Sequence, residues 1–222
     1  MDLNLRNKLD LVFNSIEDAR KKVSQHHIVK ILAVTKYSND EVVKKLYEIG
    51  QRAFGENRIQ DLEKKSIILQ DLPLEWHFIG SLQKNKINKL ISLKPTLFQS
   101  LHSLELAEQL NERLEKQNQK MNALLQINSA NEIQKFGISP EMAIDSYQEI
   151  SERFPNIILK GLMAVTSKDK NEAKNSFQET FKIYQKLEQS GAKILSMGMS
   201  GDFEIAISEG ANLVRLGSIL IK

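Results

Sequence analysis

The 222-residue sequence predicts an α/β fold: a single (β/α)8 barrel of the TIM type, with an extra helix at the amino end and a truncated helix at the carboxyl end. Three observations predict it. Eight short apolar runs alternate with stretches of helical spacing, which implies βαβ units and parallel pairing. No repeat, low-complexity stretch or linker divides them, so residues 1–222 read as one domain. Only six residues follow the last run, whereas a full amphipathic helix precedes the first; that helix is placed to cover the wall left bare by the short end. An open doubly wound sheet has the same element order and is the alternative.

Taken in order, residues 3–24 carry Leu9, Val12, Phe13, Ile16, Ala19 and Val23 at helical spacing. The first strand is 30–35. A helix over 40–49 follows, with Asn39 as cap and Gly50 as stop. Residues 52–55 form the second strand, 57–70 a helix, 76–80 the third strand and 84–92 a short helix. The fourth strand, 96–100, precedes a helix capped by Ser103 with Leu104, Ala107, Leu110 and Leu114 on one face. The fifth strand is 123–128. Ser139-Pro140 starts a helix running to Phe154, with Ser as cap and Pro at the first helical position. The sixth strand, 157–163, is followed by a charged helix over 169–189. The seventh strand is 193–197, a helix covers 202–209, and the eighth strand is 213–216.

Composition removes several function classes. With 31 basic and 28 acidic residues the formal net charge is +3, the charges are interspersed, and no basic stripe marks a nucleic-acid partner. There is no cysteine, which excludes disulfides, thiolate catalysis and thiolate metal sites. His26, His27 and His102 lack ligand spacing, so no metal site is expected. The amphipathic start, Met1-Asp2-Leu3-Asn4-Leu5-Arg6, is unlike a signal peptide, and no apolar run approaches the ~18 residues of a membrane span. A cytoplasmic protein is the expectation.

Chemistry enters with Ile31-Leu32-Ala33-Val34-Thr35-Lys36. Side chains alternate along a strand, so Leu32, Val34 and Lys36 share one face. An ammonium at the rim of an apolar interior is disfavoured in its charged form, and a neutral amine attacks carbonyls to form a Schiff base. The plain alternative is a lysine that ends a strand and reaches water. Barrel active sites gather at the carboxyl ends of the strands, and phosphate sites recur after strands seven and eight. Here those ends hold Met199-Ser200-Gly201-Asp202 and Arg215-Leu216-Gly217-Ser218. Small residues there let backbone N–H groups approach an anion, although Ser200 and Ser218 also suit ordinary helix caps. Arg215 lies in an apolar strand and needs an acceptor, either a carboxylate such as Glu56 or a ligand atom. Together, a Schiff-base lysine, a phosphate cup and an inward arginine suggest pyridoxal phosphate, with Arg215 donating to the pyridine nitrogen. A permanently charged donor there disfavours ring protonation and weakens the electron sink.

These pieces are embedded in longer motifs: Ala33-Val34-Thr35-Lys36, Phe54-Gly55-Glu56-Asn57, Trp76-His77-Phe78-Ile79-Gly80 with Leu82-Gln83-Asn85-Lys86, Gly161-Leu162-Met163, Leu195-Ser196-Met197-Gly198-Met199-Ser200, and Val214-Arg215 with Gly217-Ser218. Through them the sequence resembles the pyridoxal phosphate homeostasis proteins, which look like the amino-terminal barrel of alanine racemase standing alone. The resemblance implies that Lys36 carries pyridoxal 5'-phosphate, that Ser200, Gly217 and Ser218 hold its phosphate, that Arg215 faces its ring nitrogen, and that Asn57 and Met199 line the pocket. It also implies a non-catalytic role in vitamin B6 homeostasis, storing or delivering the cofactor, with cofactor-dependent apo-enzymes as recipients and no nucleic acid or membrane as partner. A slow one-base amino-acid racemase is the alternative, and a Schiff-base aldolase for a phosphorylated sugar is a third reading. Tyr37 is expected on the strand face opposite Lys36, hence a poor second acid or base. Glu56 reads as orienting Asn57 or pairing with Arg215, or equally as a rim carboxylate. His77 reads as a satisfied core histidine. Gln83, Asn85 and Lys86 stay open between cofactor and partner contacts.

Overall fold

In the computed structural model, residues 3–129, 136–166 and 169–221 are described. Met1, Asp2 and Lys222, used in reading the termini, lie outside them. Eight parallel strands close into a barrel in the order β1 to β8, which decides between the barrel and the open sheet. They are β1 (Lys30–Val34), β2 (Ala53–Glu56), β3 (Glu75–Phe78), β4 (Leu97–Leu101), β5 (Met121–Ile127), β6 (Ile157–Ala164), β7 (Ile194–Met199) and β8 (Leu213–Leu216). Closure is made by β1 against β8, with Leu32 opposite Arg215.

The helices between them are α1 (Leu3–Lys21), α2 (Asp40–Glu48), α3 (Ile59–Ile68), α4 (Ile87–Leu93), α5 (Leu104–Lys116), α6 (Ala143–Arg153), α7 (Lys170–Leu187), α8 (Phe203–Ser208) and the single turn α9 (Ser218–Ile221). No described helix is long and apolar enough to cross a membrane. Two caps form as the sequence expects. The Asn39 side chain accepts from Val42 N, and the Ser103 hydroxyl oxygen accepts from Leu106 N, each at 3.2 Å. The third does not. Pro140–Met142 is a 3-10 turn, and Ser139 makes no cap hydrogen bond.

Alternation sorts the strands into two cores. Outward-facing Ile31, Ala33, Phe54, Val214 and Leu216 pack with Val43 and Leu46 of α2, Phe203 and Ile207 of α8, and Leu9, Val12, Ile16 and Ala19 of α1. Each fully buried aliphatic side chain there contributes roughly 1.5–3 kcal/mol. Leu220 of α9 joins the same cluster, so α1 does cover the wall beside the shortened carboxyl end. The barrel interior is filled by Leu32, Ala53 and Leu213 with Ile79 and Ile194, and by Leu97, Leu124 and Met163 with Val165. Other inward positions are polar, among them His77, Gln99, Ser196 and Arg215, and they build the functional region.

Candidate functional site

The strand β1 stops at Val34, and Thr35 turns the chain. The Thr35 hydroxyl donates to Glu56 Oε1 at 2.5 Å, and Lys65 Nζ donates to Thr35 O at 2.7 Å and to Glu56 Oε1 at 2.6 Å. This buried trio fixes the residue before Lys36. Glu56 is thus neither a rim carboxylate nor the partner of Arg215, and among the described residues no hydrogen bond joins it to Asn57. Burial raises the Glu56 carboxyl above its usual range, against the opposing hydrogen bonds from Lys65 and Thr35. Its Oε2 is buried without a partner.

Because the strand has ended, Lys36 does not continue its alternation into the apolar interior. The side chain is exposed, and Nζ lies 5.2 Å from the centroid of the Tyr37 ring. Tyr37, 85% exposed, lines the same opening as Lys36, so its expected placement on the opposite face is also wrong. The turn at Thr35 is the reason for both corrections.

A cavity of about 360 Å³ occupies the carboxyl-terminal mouth of the barrel. Lys36, Met199, Ser200, Arg215, Gly217 and Ser218, which the sequence singles out, all line it, together with Tyr37. Asn57 does not. Its backbone lies against Gly80, where an added Cβ would come within 2.0 Å of Asn57 O, and its Oδ1 is buried and unpaired.

At the closing end of the barrel, the Asp202 carboxylate accepts from Met199 N at 2.6 Å. Gly198 permits the approach of α8: its φ is +88°, and a Cβ would meet that of Ala206 at 2.6 Å. The loop so placed aims the Ser200 hydroxyl oxygen at Gly217 N, 3.3 Å away. Gly217 and Ser218 open α9, so their N–H groups have no helical acceptor. An anion at this point would find the Ser200 hydroxyl, which now accepts from Gly217 N and Ile219 N, and the N–H groups of the α9 terminus.

Arg215 is 5% exposed and enters the floor of the cavity from β8. Its Nη1 donates to Ser196 O and to Ser196 Oγ, and its Nη2 donates to Ala164 O, each at 2.8 Å. Three oxygens therefore compensate the buried charge, and no carboxylate is needed. Burial lowers its pKa to about 10, which still leaves it charged at neutral pH. Among the described residues its hydrogen bonds run from Nη1 and Nη2.

Sequence reasoning missed Lys65, Gln99 and the role of Ser196. Ser196 Oγ donates to Gln99 Oε1 at 2.7 Å, and Gln99 Nε2 lies 2.9 Å from His77 Nδ1. His77 is core-buried as expected, but as part of a polar chain across the barrel interior. A usable signal was present: Gln99 and His77 share the inward face with Leu97 and Ile79.

The cavity suits a phosphorylated aldehyde with a ring acceptor. It has an amine at one side, N–H groups and a hydroxyl at another, and a charged donor in its floor. Comparison with known proteins agrees. The family model described as "Alanine racemase, N-terminal domain" matches residues 8–222. A pyridoxal phosphate homeostasis protein of Helicobacter pylori is 50% identical over 222 residues, covering 99% of each chain. The structure of PipY from Synechococcus elongatus, solved with PLP bound, superposes with a TM-score of 0.83 at 27% identity, covering 98% of this chain and 100% of that one. An alanine racemase of Clostridium difficile shares the fold at TM-score 0.77 and 21% identity, covering 98% of this chain and 58% of that enzyme.

Proposed function

The chain belongs to the pyridoxal phosphate homeostasis family, built on the alanine racemase amino-terminal barrel, and on that premise we propose that residues 1–222 act as one barrel that holds pyridoxal 5'-phosphate on Lys36 for storage or delivery. The observation that carries this reading is the shared cavity of Lys36, Arg215 and the Ser200–Gly217–Ser218 corner. Lys36, Ser200, Arg215, Gly217 and Ser218 would hold pyridoxal phosphate, which would supply an aldehyde able to condense with a primary amine such as that of Lys36.

The chain's own groups then have separate tasks. Gly217 N, Ser218 N and the Ser200 hydroxyl bind the phosphate oxygens. Met199 and Val34 supply apolar walls, and Asn57 supports the wall from behind through Gly80. Arg215, in the cavity floor, would donate to the ring nitrogen, and since it keeps its proton that nitrogen would stay an acceptor and the ring a poor electron sink. The Lys65–Glu56–Thr35 trio holds the main chain that carries Lys36. Exposure of Lys36 and Tyr37 lets the amine of an incoming molecule, or a recipient apo-enzyme, reach the linkage.

Saturation of the purified protein with pyridoxal phosphate should give a visible absorbance band that Lys36→Ala lacks. A colourless saturated wild type would contradict the proposal. One observation favours a second reading, slow amino-acid racemisation with Lys36 as the one base: the Lys36 side chain is exposed at the mouth of the cavity. That reading requires Lys36-dependent entry of solvent deuterium at the α-carbon. No incorporation above that of free cofactor would dispose of it.

A further inference from the structure

The opposite, amino-terminal mouth of the barrel holds a second cavity of about 380 Å³. Its floor is apolar: Ala53, Leu97, Ile194 and Leu213 of the interior clusters. Lys30, Lys160 and Lys193 stand around it, with Glu75 as the one carboxylate in the lining. Among the described residues, no carboxylate lies within ion-pair distance of any of these three lysines. Three cations against one anion leave a net charge of +2 around an apolar bowl.

A fourth group makes this more than a charged rim. His77 also lines the cavity and is 6% exposed, and among the described residues its one hydrogen bond is at Nδ1. The hydrogen-bonded chain above it decides what Nε2 carries. Arg215 can only donate, so Ser196 Oγ accepts from it and must give its own proton to Gln99 Oε1. The Gln99 carbonyl is thereby engaged and its amide nitrogen turned toward His77, where Nδ1 must accept. A neutral imidazole that accepts at Nδ1 carries its proton at Nε2. The buried arginine of the upper mouth therefore sets the tautomer of a histidine in the lower one. The result is an N–H donor on the wall of the cavity, with ammonium groups around it.

We infer that this mouth is a second binding site, for a small dianion such as a phosphate monoester or a dicarboxylate, held by His77 Nε2–H and by Lys30, Lys160 and Lys193. The inference uses neither Lys36 nor the upper cavity, so it stands apart from the cofactor reading. Burial, with the nearby Lys30 charge, holds the His77 pKa down to about 4, which keeps the ring neutral and its tautomer fixed near neutral pH.

The test is nitrogen-correlated NMR on the full chain labelled in histidine. His77 should show the Nε2–H tautomer. Methyl phosphate or succinate, titrated at constant ionic strength into the millimolar range, should shift that resonance saturably with one-to-one stoichiometry. The two probes separate phosphate from carboxylate recognition. The Lys160→Ala/Lys193→Ala variant should weaken the affinity by about tenfold or more while its other histidine resonances stay in place. Lys36→Ala should bind as wild type. An Nδ1–H tautomer, no saturable shift with either probe, an unchanged affinity in the double variant, or loss of binding in Lys36→Ala would each overturn the inference.

Discussion

The Lys65 ammonium lies 2.6 Å from the Glu56 carboxylate, with both side chains buried, and it also holds the carbonyl of Thr35, the residue before Lys36. The position of Lys36 is thus tied to an ion pair contributed by α3 and β2. Removing one partner strands the other as an uncompensated buried charge. Lys65→Met should therefore destabilise the fold by about 3–5 kcal/mol in chemical denaturation. Adding Glu56→Gln should recover a large part of that loss. A single-variant loss below about 1 kcal/mol would mean that the pair is effectively solvated.

Arg215 bonds Ser196 and Ala164 through a planar fork, which lysine cannot reproduce. Arg215→Lys should leave at least one buried carbonyl unpaired, destabilising the protein by about 1–3 kcal/mol. It should also shift the absorbance maximum of the bound cofactor, because the donor at the ring nitrogen changes. Denaturation and a visible spectrum on one preparation check both outcomes.

The phosphate corner predicts discrimination between two ligands. In Gly217→Ala, the new Cβ sits 3.1 Å from Val34 O, tight enough to displace the corner. Affinity for pyridoxal phosphate should fall about tenfold, while affinity for pyridoxal, which lacks the phosphate, should change little. Equal losses for both ligands would place the phosphate elsewhere.

His77 gives a pH dependence whose sign follows from burial. Its folded pKa of about 4 lies below the usual 6.5. Between those values the unfolded chain binds a proton that the folded chain refuses, so stability falls as the pH drops through that window. Above about 6.5 both states are neutral, and the contribution is fully present. The shift corresponds to roughly 3 kcal/mol lost by pH 4. His77→Gln should flatten this part of the stability profile, read from urea denaturation across the window.

What the sequence made legible follows from the physics of its patterns. Strands buried on both faces are near-continuous apolar runs, and helices between them keep an apolar stripe. The eight-strand order could therefore be read, and element ends moved by only a few residues. Lys36, Ser200, Arg215, Gly217 and Ser218 stood out as polar or small residues at apolar strand ends. Asn57 was misplaced because adjacency to a strand end does not say which way a side chain turns. Tyr37 was misplaced because alternation was extended past Val34, where the strand stops. Lys65 was hidden in a lysine-rich helix, yet the spacing Ile59, Leu62, Leu69 puts position 65 beside the buried stripe. The chain from Arg215 to His77 joins four residues far apart in sequence on β8, β7, β4 and β3, and only closure of the barrel brings them together.

The central claim is a covalent one at a single nitrogen. Protein saturated with pyridoxal phosphate and reduced with borohydride should gain the mass of one reduced cofactor, and peptide mapping should place it on Lys36. No adduct, a sugar fragment in place of the cofactor, or a cofactor adduct confined to another lysine would contradict the account.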